Sequence, residues 1–234
     1  TGTCEAYNYS NRTEVAIRNE TNLIKGTINS TGSSTTNTFI MGQANTTHGN
    51  NRSNIIIGSN NEIANGVNNA NIFGTLGEIT TDNSLVLGGN NGLDNLGERQ
   101  AIHLMYGTQT EQGAEVESYL NNTTDSYFVV PENTILYYHA DVIAVRVGGV
   151  EAEGSVGDYA SFVERGVIID QRGTVTVNRE KDAIKSNGLV TDWRPRGDAI
   201  NTNMFTIMVR GETDTTIEWN CYVRMTQIKT GVNL

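Results

Sequence analysis

The stretch Thr191-Asp192-Trp193-Arg194-Pro195-Arg196-Gly197-Asp198 sets one indole and two guanidinium groups among carboxylates, between polar residues expected to face solvent. An indole can stack on the apolar face of a sugar ring while adjacent guanidinium and carboxylate groups hydrogen-bond its hydroxyls. Asp192, Trp193, Arg194, Arg196 and Asp198 are therefore the candidate receptor-binding residues. The competing reading is structural, with Trp193 tucked into a subunit interface and the arginines paired to Asp192 and Asp198. Arg196-Gly197-Asp198 also spells the integrin-binding tripeptide, a match that three letters reach by chance.

Other catalytic chemistry is hard to find. Glu115 with Glu117, Glu151 with Glu153 and Asp94 with Glu98 are carboxylate pairs, but a glycosidase needs two carboxyls about 5 to 9.5 Å apart across one cleft. In a chain with 26 acidic residues, neighbouring pairs read as solvated surface. There is no G-x-S-x-G, no P-loop, no G-x-G-x-x-G opening a helix and no H-E-x-x-H. His48, His103 and His139 are scattered, without the spacing of a metal site. The expectation is no catalytic residue, no metal, no cofactor, and a protein that is not an enzyme.

Cys4 and Cys221 are too few and too distant for a disulfide framework, and each is expected to stay a thiol. Sixteen basic residues against 26 acidic ones give a net charge of −10, with no Lys/Arg block. That distribution argues against nucleic acid as a partner. The longest apolar runs fall far short of the roughly 20 residues that cross a bilayer, so no membrane insertion is expected. TGTCEAYNYS shows neither a charged nor an apolar leader segment.

The elements that must carry these residues are announced by a repeat. Leu23-Ile24-Lys25-Gly26, Phe39-Ile40-Met41-Gly42, Ile55-Ile56-Ile57-Gly58, Asn71-Ile72-Phe73-Gly74 and Leu85-Val86-Leu87-Gly88 return with Gly spacings of 16, 16, 16 and 14. Three residues after each Gly stand Asn29, Asn45, Asn61, Gly77 and Asn91, and five after it Thr31, Thr47, Ile63, Ile79 and Leu93. Of the 29 Asn, 20 lie in the first hundred residues, where they tolerate the left-handed corners such a coil needs. Each period predicts two short strands divided by Asn/Gly turns. Five rungs stacked at about 4.8 Å make a rod of roughly 24 Å. So thin a coil leaves one apolar face uncovered, and copies of itself around a threefold axis would cover it. A monomeric parallel β-helix and a disordered linker are the alternatives.

The pattern, as in SNIIIGSNNEIANG, resembles the head repeat of trimeric autotransporter adhesins and its relatives in bacteriophage tail fibres and tailspikes. The resemblance covers about residues 22 to 105. It departs in carrying Asn where Ser is usual and in a period of 16 rather than 14.

Beyond Leu104 the register is lost, and residues 107–120 read as a polar linker. Short alternating or β-branched runs follow, over 126–130, 134–139, 141–147, 159–164, 167–170, 174–178, 204–209 and 215–228, without helical periodicity. They predict an antiparallel β-sandwich. In the last run Ile217, Trp219, Cys221, Val223 and Met225 form one apolar face, with Trp219 as a packing anchor and Cys221 as a small buried hydrophobe. GDYASFVERGVIID and IEWNCYVRMTQI are similar to the C-terminal sandwich of many phage tail fibres.

The expectation is therefore all-β: residues 1–21 a cap or connector, 22–106 a trimeric β-roll shaft, 107–120 a linker and 121–234 a β-sandwich knob. The resemblance implies a bacteriophage tail fibre on the virion. It implies a homotrimer joined to other virion proteins at its N-terminal end and attached to a host-cell surface glycan or protein. A capsid or collar fibre without a receptor role, a polysaccharide-depolymerising tailspike and a bacterial adhesin are the other readings.

Overall fold

The computed structural model describes residues 4–9, 12–18, 22–89, 95–150, 154–186, 190 and 192–230. Every regular element among them is a strand, and the chain divides into two units, Thr1–Ile102 and His103–Leu234.

The first unit opens with the antiparallel pair β1 (Cys4–Tyr9) and β2 (Arg12–Arg18), and β2 pairs antiparallel with β3 (Leu23–Thr27). From β3 onward the chain is a coil. β3, β5 (Phe39–Gln43), β7 (Ile55–Ser59), β9 (Asn71–Thr75) and β11 (Leu85–Gly88) stack in parallel, with Gly26, Gly42, Gly58, Gly74 and Gly88 in one column. β4 (Ser30–Thr31), β6 (Thr46–Thr47), β8 (Glu62–Ile63) and β10 (Glu78–Ile79) form a second parallel sheet. The bridges Thr36 to Arg52 to Asn68 add a third column that the repeat did not announce.

Three features hold the coil. Gly26, Gly42, Gly58 and Gly74 have positive φ, and a Cβ on Gly42 or Gly58 would fall 1.8 Å from the carbonyl oxygen of the next glycine. Only hydrogen fits there. Two residues later Ile28, Ala44, Asn60 and Leu76 turn the corner at φ 54 to 59°. A side chain at such a φ costs about 1–3 kcal/mol. The corner is held by the preceding coil: the N–H groups of Ala44, Asn60 and Leu76 donate to the carbonyls of Thr27, Gln43 and Ser59 at 3.0 to 3.1 Å.

The third feature is a buried asparagine ladder. Asn45 Nδ2 donates to Asn29 Oδ1 at 3.0 Å and to the Gly58 carbonyl at 2.9 Å, while its Oδ1 accepts from Asn61 Nδ2 at 3.0 Å and from the Asn61 backbone at 3.2 Å. Both amide donors and the oxygen are thus satisfied inside the coil. Gly77 ends the ladder, its N–H meeting Asn61 Oδ1 at 2.8 Å.

The remaining interior is uneven. Ile40, Ile56, Ile63, Val67 and Ile72 are buried, but so are Thr35, Thr47 and Asn51. The Thr35 and Thr47 hydroxyls and both amide atoms of Asn51 have no hydrogen-bond partner.

In the second unit one antiparallel sheet runs in the order β12 (Arg99–Thr110), β21 (Thr215–Lys229), β16 (Thr134–Gly149), β17 (Tyr159–Gln171), β18 (Thr174–Ser186), with β14 (Tyr119–Leu120) on β12. A smaller sheet centres on β20 (Met204–Arg210), which pairs with β19 (Arg194–Ile200) and with β13 (Glu115–Glu117) and β15 (Phe128–Val129). The buried faces meet where Tyr138 packs on Phe205, ring centroids 5.0 Å apart, and Trp193 on Trp219 at 6.2 Å. Trp219 Nε1 donates to Thr110 Oγ1 at 3.0 Å. Cys221 is fully buried and free, and burial pushes its thiol up to about 12, so it is no nucleophile at neutral pH. The side chain of Cys4 lies outside the described residues.

Two stretches differ from their sequence reading. Residues 107–120 are not one connector, because they hold the end of β12 together with β13 and β14. Runs that Gly166 and Ala140 divide on paper are single strands of 13 and 16 residues.

Val67 occupies in the next coil the position that Asn51 holds, and Ile63 that of Thr47. Replacing a buried, unpartnered amide by an apolar group recovers its desolvation penalty, about 1–3 kcal/mol. Asn51→Val is therefore expected to raise the thermal midpoint, and Asn51→Val with Thr47→Ile to raise it further, both read by circular dichroism.

Candidate functional site

The receptor-binding residues expected on a loop lie for the most part on a strand. β19 starts at Arg194 and pairs along its whole length with β20, Pro195 opposite Val209 and Gly197 opposite Ile207. Pro and Gly suggest a turn, but Pro is tolerated where a strand is paired on one side only, and among the described residues β20 is the one ladder partner of β19. Strand alternation then sorts the side chains. Trp193, Pro195 and Gly197 are buried, and Arg194, Arg196 and Asp198 lie on the other face.

Trp193 is 3 % exposed and packs against Trp219, and its indole nitrogen has no hydrogen-bond partner. The ring is part of the interior, so it does not offer the stacking platform that the sequence suggested. Asp192 is exposed and lines a cavity of about 420 Å³ with Gly113, Arg210 and Glu212. Thr191 lies outside the described residues.

The outward residues meet partners that the sequence did not bring together. Arg196 Nη2 lies 2.8 Å from Glu115 Oε2 and 2.9 Å from Asp198 Oδ2, and Arg194 Nη2 lies 3.7 Å from Glu115 Oε1. Glu115, Glu164, Arg179, Arg194, Pro195 and Arg196 line one cavity of about 420 Å³. Glu164, on β17, is fully buried; its Oε1 accepts the Gly197 N–H at 3.0 Å and the Tyr138 hydroxyl at 3.3 Å. Arg179, on β18, donates from Nη1 to the Gly197 carbonyl at 3.2 Å. Burial, with the Glu164 carboxylate beside it, raises the Tyr138 pKa well above the ordinary phenol value, so Tyr138 remains a donor to Glu164.

The site is therefore a carboxylate and guanidinium cavity built around Gly197, whose two backbone polar groups are held by Glu164 and Arg179. Glu164 had a legible signal: it stands on the inward side of Ala160-Ser161-Phe162-Val163-Glu164, where a lone charge needs a partner. Arg179 had none, because its place depends on the pairing of Gly166 with Arg179 across β17 and β18. Among the described residues no group of three or more His, Cys, Asp or Glu side chains is placed to hold a metal ion.

No protein-family profile matches the chain, and no curated protein does. Solved structures similar to it include three tailspike proteins. The tailspike protein of Acinetobacter baumannii phage AM24 matches 88 % of this chain at 10 % identity and a TM-score of 0.33. A tailspike protein of Acinetobacter baumannii bacteriophage Fri1, described as a capsular polysaccharide depolymerase, matches 82 % at 9 % identity and a TM-score of 0.33. The tailspike protein of Acinetobacter phage vB_ApiP_P1 matches 85 % at 11 % identity and a TM-score of 0.22. The chain spans 50 %, 38 % and 47 % of those three chains.

The expectation that the chain is not an enzyme is corrected here, since a protein described as a depolymerase stands among these neighbours. The expectation rested on missing linear motifs and on carboxylates adjacent in sequence. Carboxylates that share a cleft are brought together by folding, as Glu115 and Glu164 are from 49 positions apart.

A Cβ on Gly197 would lie 2.4 Å from the Tyr138 hydroxyl oxygen and 2.7 Å from Cζ. Gly197→Ala is therefore expected to push β19 from β16 and lower stability by about 1–3 kcal/mol, as overpacking does. Urea denaturation followed by Trp fluorescence reads it.

Proposed function

We propose that this chain is a subunit of a bacteriophage tail fibre or tailspike, assembled as a homotrimer that attaches the virion to a host-surface glycan. The observation that supports the assembly is the outer face of the coil. Ten side chains on the five stacked strands point outward, and eight are apolar: Leu23, Phe39, Met41, Ile55, Ile57, Phe73, Leu85 and Leu87. Five of them are 37 to 44 % exposed. A contiguous apolar stripe of this kind marks an interaction surface, and three copies around an axis give each stripe the same partner. On the large sheet of the second unit Tyr137, Ile143, Val147 and Ile228 are also exposed, interspersed with His139, Asp141 and Arg224.

Attachment follows from the assembly. Three identical knobs engaging a repetitive surface polymer turn weak single contacts into firm adhesion through effective concentration. The guanidinium and carboxylate cavity, with Arg194 and Arg196 from the expected set, is the proposed contact. Other virion proteins would join at the N-terminal end.

A polysaccharide depolymerase is the second reading, favoured by the convergence of Glu115 and Glu164 on one cavity. Incubating the protein with host capsule and sizing the polymer tests it. Shortened chains that persist with Glu115→Gln would remove this cavity from the reaction.

Light scattering tests the assembly. The mass is expected near three times 25.5 kDa, and Ile55→Lys with Ile57→Lys is expected to yield smaller species. A stable wild-type monomer would overturn the assembly.

A further inference from the structure

We propose that the cavity lined by Glu115, Glu164, Arg179, Arg194, Pro195 and Arg196 binds a sugar residue that bears a carboxylate. Arg179 and Arg194 hold the acid group, and Glu115 accepts from neighbouring hydroxyls. The proposal rests on the attachment reading only for the ligand being a glycan.

The cavity is an exception on this chain. The protein carries a net charge of −10, yet three guanidinium groups converge here beside Glu115, Glu164 and Asp198. The arginines are not equivalent. Arg196 is clamped between Glu115 at 2.8 Å and Asp198 at 2.9 Å, so its charge is matched within the protein. Arg179 has no carboxylate within 4.0 Å among the described residues, and its hydrogen bond goes to the Gly197 carbonyl. Arg194 has only the 3.7 Å approach to Glu115. Arg179 and Arg194 are both exposed, and each keeps N–H donors in hand.

A forked planar guanidinium suits a carboxylate better than it suits a hydroxyl, because two parallel N–H groups meet two oxygens and the bonds are charge-assisted. The buried Trp193 leaves this wall without an aromatic platform, so charge and hydrogen bonding must do the recognising. Glu164 is the positioning residue: by accepting the Gly197 N–H it fixes β19, and with it the separation of Arg194 and Arg196 from Arg179. A cavity of about 420 Å³ lies within the size range of small-ligand pockets, roughly 300–1,000 Å³.

The experiment titrates the full chain with glucuronate, galacturonate and N-acetylneuraminate, each against its methyl ester, by saturation-transfer NMR. At least one acid is expected to bind, with its ester about tenfold weaker, as follows from losing a charged hydrogen-bond partner. Arg179→Ala with Arg194→Ala should abolish the difference. Arg165→Ala, whose guanidinium pairs with Glu180 and Asp182, should leave it unchanged. Binding of acid and ester alike, binding unaffected by the double variant, or no binding by any of the six sugars would each overturn the proposal. Adsorption of the protein to host cells is measured alongside. Adsorption that survives the double variant overturns the acid site while attachment stands, and no adsorption by the wild type sinks attachment itself.

Discussion

The first unit depends on a close approach between backbones. Gly26, Gly42, Gly58 and Gly74 each sit directly against the carbonyl of the glycine one coil on, so near that a methyl group has no room. That contact fixes the register, because a slip by one residue would put a side chain where only hydrogen fits. The asparagine ladder and the left-handed corners follow from it. Once the glycines are stacked, Asn29, Asn45 and Asn61 are stacked too, and their amides complete one another's hydrogen bonds where water is excluded.

The same register accounts for what the surface offers. With one buried position per long strand, Ile24, Ile40, Ile56, Ile72 and Val86, the two flanking positions have to face outward. Their apolar character is thus a property of the coil's outside. Inside, the interior is narrow enough that Asn51 and Thr47 in one coil can be answered by Val67 and Ile63 in the next without changing the backbone.

How much could be read beforehand varied with the range of the interaction. The parallel coil, its period and the glycine column were visible because each repeats at fixed spacing. The third column was not, since Thr36, Arg52 and Asn68 share no residue type. In the second half the alternation of β21 disclosed the Trp219 and Cys221 face, whereas β19 was mistaken for a loop because Pro195 and Gly197 outweighed the alternation around them. The candidate site was half legible. Arg194, Arg196 and Asp198 were named from chemistry alone, but Glu115 meets Arg194 across 79 positions and Arg179 meets the Gly197 carbonyl across 18, which no local pattern encodes.

The position of β21 separates the two halves in how each could be assembled. In the coil every new strand pairs with one about 16 residues earlier, so rungs can be added one at a time as the polypeptide emerges. The larger sheet of the other half has its last strand in the middle of its order, between β12 and β16, with Thr134 opposite Lys229. Nothing earlier in the chain can take that slot. The facing edges of β12 and β16 stay unpaired until β21 has been made, and contacts of such long loop closure form slowly. Closing this sheet thus waits on β21, while the coil can grow rung by rung.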